Sequence, residues 1–158
     1  MKLRFLCANH REWLFNQPEQ ALHRCADSFE TGWHLCQTQH WRDALAHMGC
    51  AFESAEILMT SRGVAPTIAV DWFLKTLDGL LRILEKLQLM DNCVELYQVA
   101  IGRLRQEANG TVSPQLEADL YMHITRLNRD RRRLDMDREF LPLMAAGDDA
   151  RRADIVLH

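Results

Sequence analysis

Cys36, His40, His47 and Cys50 stand in a C-x3-H-x6-H-x2-C pattern. These are the residue types that hold zinc in a tetrahedron of nitrogen and sulfur ligands. Cys36 and His40 are a helical turn apart, and His47 and Cys50 nearly so, which lets each pair share a helix face. The pairs would have to meet across a hairpin, and their spacing matches no established zinc pattern. Cysteine is also among the most buried residue types. Core and surface packing is therefore the preferred reading, and no metal or cofactor is expected.

Two other clusters carry charge. Lys75, Asp78, Arg82, Glu85 and Lys86 recur at three- and four-residue steps opposite the Leu77, Leu81 and Leu84 face, so they are exposed in any helical fold. They read either as one end of a binding groove or as a solvated face laced with ion pairs such as Asp78–Arg82, each worth about 0.3–0.5 kcal/mol. Arg126, Arg129, Arg131, Arg132 and Arg133 form a basic run broken by Asp130 and followed by Asp135, Asp137 and Glu139. A phosphate- or acid-binding patch is one reading. The near-neutral local balance favours a solvated face or a helix contact. The sequence has no Gly-rich phosphate loop, no Gly-x-Ser-x-Gly and no His-Glu-x-x-His. A Cys–His nucleophile pair assembled in three dimensions stays open, but a non-enzyme is the preferred reading.

The elements that must position these groups are helices. Only 7 Gly and 4 Pro punctuate 158 residues, too few for the turns of an all-β chain. A short helix from Asn9 is expected first. Pro18 then opens a helix to about Gln39, with Leu22, Cys25, Phe29, Gly32, Trp33 and Cys36 along one face. A second long helix runs from Trp41 to Ser61, a third from about Thr67 to Leu87 and a fourth from Met90 to about Ala108. Ser113 and Pro114 give an N-cap and first-turn pair for a fifth, which Pro142 should end near Leu141. A single helical domain over 1–144 and a flexible tail over 145–158 follow.

The segment from Trp41 to Phe52 aligns without a gap on that from Met90 to Ile101. Ala44 and Ala51 correspond to Cys93 and Ala100, small residues on one helix face that admit a close neighbour. At these residues the chain resembles the tetratricopeptide repeat family. The resemblance implies an antiparallel helix-hairpin array with Gly32, Trp41, Ala44 and Ala51 as repeat positions of the first copy. Leu81, Met90, Cys93 and Ala100 are those of the second. The copies are farther apart than the family period of roughly 34 residues, so elongated helices are expected. The Pro that normally closes a unit is missing after Ala51, and Leu81 stands where a small residue is usual. A generic antiparallel bundle is the alternative.

Family arrays bind peptides on the surface lined by their first helices. The resemblance implies that Phe29, Trp33, Cys36 and Gln37 would line that surface in the first copy, and Lys75, Asp78, Arg82, Glu85 and Lys86 in the second. Burial of Phe29 and Trp33 against the N-terminal segment is the competing reading.

Net charge is −3 and the pI about 6.1, so nucleic acid is not the default partner. No apolar run reaches the ~18 residues of a membrane span. Five scattered Cys without a CxxC pair fit reduced thiols in the cytoplasm. The expected function is a non-enzymatic adaptor, chaperone or regulatory subunit that binds another protein or a peptide segment. An Arg-rich nucleic-acid-binding or transcription-associated regulator and a thiol- or metal-dependent enzyme are the alternatives. The long fifth helix outruns the helix it would cover, so a homodimer is expected to bury its Leu134, Phe140 and Leu141.

Overall fold

The computed structural model describes the backbone of residues 4–153 and the side chains as far as Arg138. The described chain is all-α: α1 (Ala8–Asn16), α2 (Pro18–Gln37), α3 (Trp41–Ser61), α4 (Pro66–Lys86), α5 (Met90–Gly110) and α6 (Pro114–Ala153). No described helix is long and apolar enough to cross a membrane. Pro18, Pro66 and Pro114 each open a helix, where the missing N–H has no helical partner to lose. Ser113 Oγ caps α6 by accepting the Leu116 N–H at 3.3 Å.

Helices α2 and α4 end in the same turn. The His40 N–H donates to the Leu35 carbonyl at 2.9 Å and the Gln39 N–H to the Cys36 carbonyl at 3.1 Å. Leu89 and Gln88 repeat this on Leu84 and Glu85 at 2.9 and 3.0 Å. These are Schellman caps, with Gln39 (φ 61°) and Gln88 (φ 59°) in the left-handed position usually held by Gly. The offset from Gln39 to Gln88 also relates Trp41 to Met90, Ala44 to Cys93 and Ala51 to Ala100. The last four of these positions are all fully buried.

Contacts divide the chain into two compact units, residues 1–96 and 97–158. Helix α5 runs across the division. In the first unit α2 and α4 both pack on α3. Ala44, Met48, Ala51, Ala55 and Leu58 of α3 and Phe73, Leu77, Leu80 and Leu84 of α4 are buried in the core, with Phe52 and Phe73 ring centroids 5.2 Å apart. Met48 fills the space between two glycines. A Cβ on Gly32 of α2 would lie 3.1 Å from the Met48 nitrogen, and one on Gly79 of α4 would lie 2.8 Å from its Sδ. Both helices approach α3 closely because those side chains are absent.

The segment before α1 is pinned to α3. Glu53 is only 5% exposed. Its carboxylate accepts the Phe5 N–H at 3.0 Å and the Leu6 N–H at 2.9 Å, and meets Arg11 Nη1 at 3.0 Å. Gly49, one turn earlier, has its face covered by the Phe5 ring.

In the second unit a three-residue connection turns α5 into α6. Tyr121 Oη lies 3.5 Å from Asn109 Oδ1, which sets the second turn of α6 beside the end of α5. Ile101, Leu104 and Ala108 of α5, and Leu116, Leu120, Ile124 and Leu127 of α6, are buried. The expected stop at Pro142 is corrected: α6 continues through it to Ala153. Proline removes one N–H and costs up to ~3 kcal/mol inside a helix. It stands here among Leu, Met, Ala and Arg, which favour the helix and carry it past the interruption. Of the expected tail, 145–158, the side chains lie outside the described residues, as does the backbone of 154–158.

Candidate functional site

Helices α2 and α4 run side by side in the same direction, and their outward residues meet. The rings of Phe29 and Trp33 stack at 6.1 Å with an interplanar angle of 12°. Phe29 also meets Trp72 of α4 edge to face at 5.8 Å. The Arg82 guanidinium lies over Trp33, 5.8 Å from its centroid, and Lys75 Nζ lies 5.3 Å from that of Trp72. Where α3 begins, Lys86 Nζ lies 5.9 Å from the Trp41 centroid. The result is a continuous face on which three indoles are each covered by a cation. Trp33 keeps 39% of its surface exposed.

The periodicity explains the alignment. Phe29, Trp33 and Gln37 are successive turns of α2. Trp72 and Lys75 on one side, and Asp78, Arg82 and Glu85 on the other, follow the exposed stripe of α4. The structure therefore brings Phe29, Trp33 and Arg82 together and sets Lys75 on the same face. Gln37, Asp78 and Glu85 are exposed on these helices. Arg82 is turned toward the Trp33 ring, and Lys75 pairs with Asp71 at 2.8 Å. Trp72 was missed by the sequence reading, although its three-residue spacing from Lys75 marks it as part of the stripe. Of the repeat positions, Gly32, Ala44, Ala51, Leu81, Cys93 and Ala100 are buried and Trp41 is half-buried.

What the face offers chemically is flat apolar area with positive charge above it. Each exposed cation–π pair contributes about 0.5–1 kcal/mol. The larger consequence is for a visitor. Tryptophan and arginine supply much contact area and well-directed donors at modest entropic cost, which is why they dominate binding hot spots.

The Cys/His quartet does not assemble. Cys36 is buried on α2, His40 is exposed with Nδ1 2.9 Å from Thr38 Oγ1, and His47 is exposed on α3. Cys50 Sγ donates to the Phe5 carbonyl at 3.7 Å. Among the described residues no three His, Cys, Asp or Glu side chains converge as a metal site would require. All five cysteines are free thiols. Burial pushes Cys25 up to about 12 and Cys93 up to about 11. It also raises Cys36, against the pull of Arg82, and Cys50, against the pull of Arg24. Activated nucleophilic thiols shift the other way.

No known protein family, curated protein or solved structure matches this chain.

Proposed function

We propose that the chain is a non-enzymatic protein–protein interaction module. It binds a segment of another protein along the α2–α4 face, as a tetratricopeptide-like adaptor, chaperone or regulatory subunit of the cytoplasm. The observation that carries this reading is the Phe29–Trp33–Trp72 cluster, with Trp33 exposed and Phe29 and Trp72 half-buried, and with Arg82 and Lys75 over its indoles. An aromatic surface of this kind favours an apolar anchor, and its cations favour a carboxylate beside that anchor. The equal offset of the two Schellman turns and the four small buried residues supports two copies of one hairpin.

Co-purification from the native host at moderate salt tests it. Wild type should retain a partner that Trp33→Ala and Arg82→Glu each lose, with helicity by circular dichroism unchanged. Identical sets of captured proteins for all three chains would overturn the reading. Capture that disappears with salt and nuclease treatment would favour nucleic acid instead.

A further inference from the structure

The second unit has a groove of about 720 Å³ between α5 and α6. Arg105 of α5 faces Arg129, Arg132 and Arg133 of α6 across it. The basic run that looks continuous in sequence is divided by the helix. Arg129 and, one turn on, Arg132 and Arg133 line the groove, whereas Arg126 and Arg131 are half-buried and do not line it. Among the described side chains that line it, four guanidiniums meet one carboxylate, Asp137. Arg129 Nε also lies 3.3 Å from Asp130 Oδ1, but Arg129 is 70% exposed, so that pair does little to hold it.

We infer that this groove binds an acidic peptide segment of a partner protein, one presenting carboxylates at alternate positions of an extended chain. Four guanidiniums around one hollow repel each other, and carboxylates entering it relieve that repulsion. Each Arg fork matches a carboxylate in two parallel hydrogen bonds. The spacing also fits. Arg129 and Arg133 are one helical step of four residues apart, about 6 Å along the axis. Alternate side chains of an extended peptide recur every ~6.6 Å. Met136 adds apolar surface, and Thr125 and Asn128, whose side chains donate to the Tyr121 and Ile124 carbonyls of α6, complete the lining.

Nucleic acid is the less suitable occupant. No aromatic residue is among the described lining residues to stack a base, as single-strand binders require. The positive charge forms one short cluster on a chain whose net charge is −3, not a stripe that tracks a phosphate backbone.

Fluorescence anisotropy decides this on the full chain. The probes are a labelled peptide of alternating Glu and Ala, its Gln/Ala counterpart, and a labelled oligouridylate. The Glu/Ala peptide should bind and the Gln/Ala peptide should not. Arg129→Gln with Arg133→Gln should weaken binding at least about tenfold, the loss of one charge-assisted contact or more. The charge-reversing pair Arg129→Glu and Arg133→Glu should abolish it. Both pairs change exposed side chains, and circular dichroism checks that helicity is kept. Arg42→Glu on α3 and Trp33→Ala on α2 should leave peptide affinity within about twofold, which separates this groove from the α2–α4 face. Absence of binding by the Glu/Ala peptide, wild-type affinity in the double Gln variant, or tighter binding of oligouridylate would overturn the inference.

Discussion

Replacing Glu53 by Ala should destabilise the first unit by about 3 kcal/mol. The Leu6 N–H is buried and would lose its only acceptor in that position. Orphaning such a donor costs about 1–3 kcal/mol. The Phe5 N–H is part-buried and recovers water, so its loss is about 0.5–1 kcal/mol. The missing methylenes add about 1 kcal/mol of lost packing. Arg11 contributes least, because its side chain is 37% exposed and solvent screens the pair. For a chain of this length each kcal/mol moves the melting temperature about 2–4 °C, so a drop of about 6–12 °C is expected. Thermal melts by circular dichroism measure the drop, and hydrogen exchange should show the Leu6 amide losing protection. Arg11→Ala should shift the melt by no more than a degree or two. An unchanged melt together with a protected Leu6 amide would refute the assignment of Glu53 as the anchor of the N-terminal segment. So would a loss for Arg11→Ala as large as that for Glu53→Ala.

Ala51→Leu and Ala100→Leu should each cost roughly 1–3 kcal/mol in urea melts, because both sites are fully buried and overpacking forces displacement. Gln39→Gly and Gln88→Gly should each raise stability by up to about 1 kcal/mol, since glycine adopts the left-handed position without a Cβ clash; a loss in both would contradict the Schellman geometry. Below the ordinary thiol value Cys25 is protonated in both states, so its contribution is complete there. As pH rises from about 9 to about 12 the unfolded chain ionises first and stability falls, and Cys25→Ala should flatten that fall in melts across this range. Light scattering at tens of micromolar should give a dimer that truncation after Arg133 converts to a monomer; a strict monomer would count against burial of the α6 end by a second copy.

Helix positions were legible in the sequence because three prolines and clear three- and four-residue periods mark them. Trp41–Ser61 matches to the residue, and the α4 and α5 bounds shift by one or two. The end of α2 was read two residues late because the left-handed residue that stops it is Gln39, which carries none of the signal of a glycine. The end of α6 was misread for the opposite reason. Proline is a strong local signal, but helix-forming neighbours outweighed it. At the candidate face, spacing on a single helix marked Lys75 and Arg82 as exposed, whereas Phe29 and Trp33 were implied by the resemblance. That Arg82 would lie over Trp33 depends on how α2 packs beside α4, which no single-helix period contains. Glu53 was invisible for the same reason: its partners are backbone groups some fifty positions away. The Arg run was visible, but its division between groove and helix flank, and the addition of Arg105, needed the α5–α6 hairpin.

The lodging of Met48 between Gly32 and Gly79 ties the side-chain volumes at 48 and 79 into one constraint across α3 and α4. A larger residue at 79 requires the Met48 thioether to move aside or shrink. Shrinking 48 does not free position 32 in the same way, because a Cβ there would lie nearest the Met48 backbone nitrogen, at 3.1 Å, which no change of side chain removes. Mutations at 48 and 79 are therefore expected to be strongly epistatic, whereas the tolerance of position 32 is set chiefly by the α3 backbone. Drift through this pair must proceed in a definite order, with the adaptable thioether of Met48 yielding first.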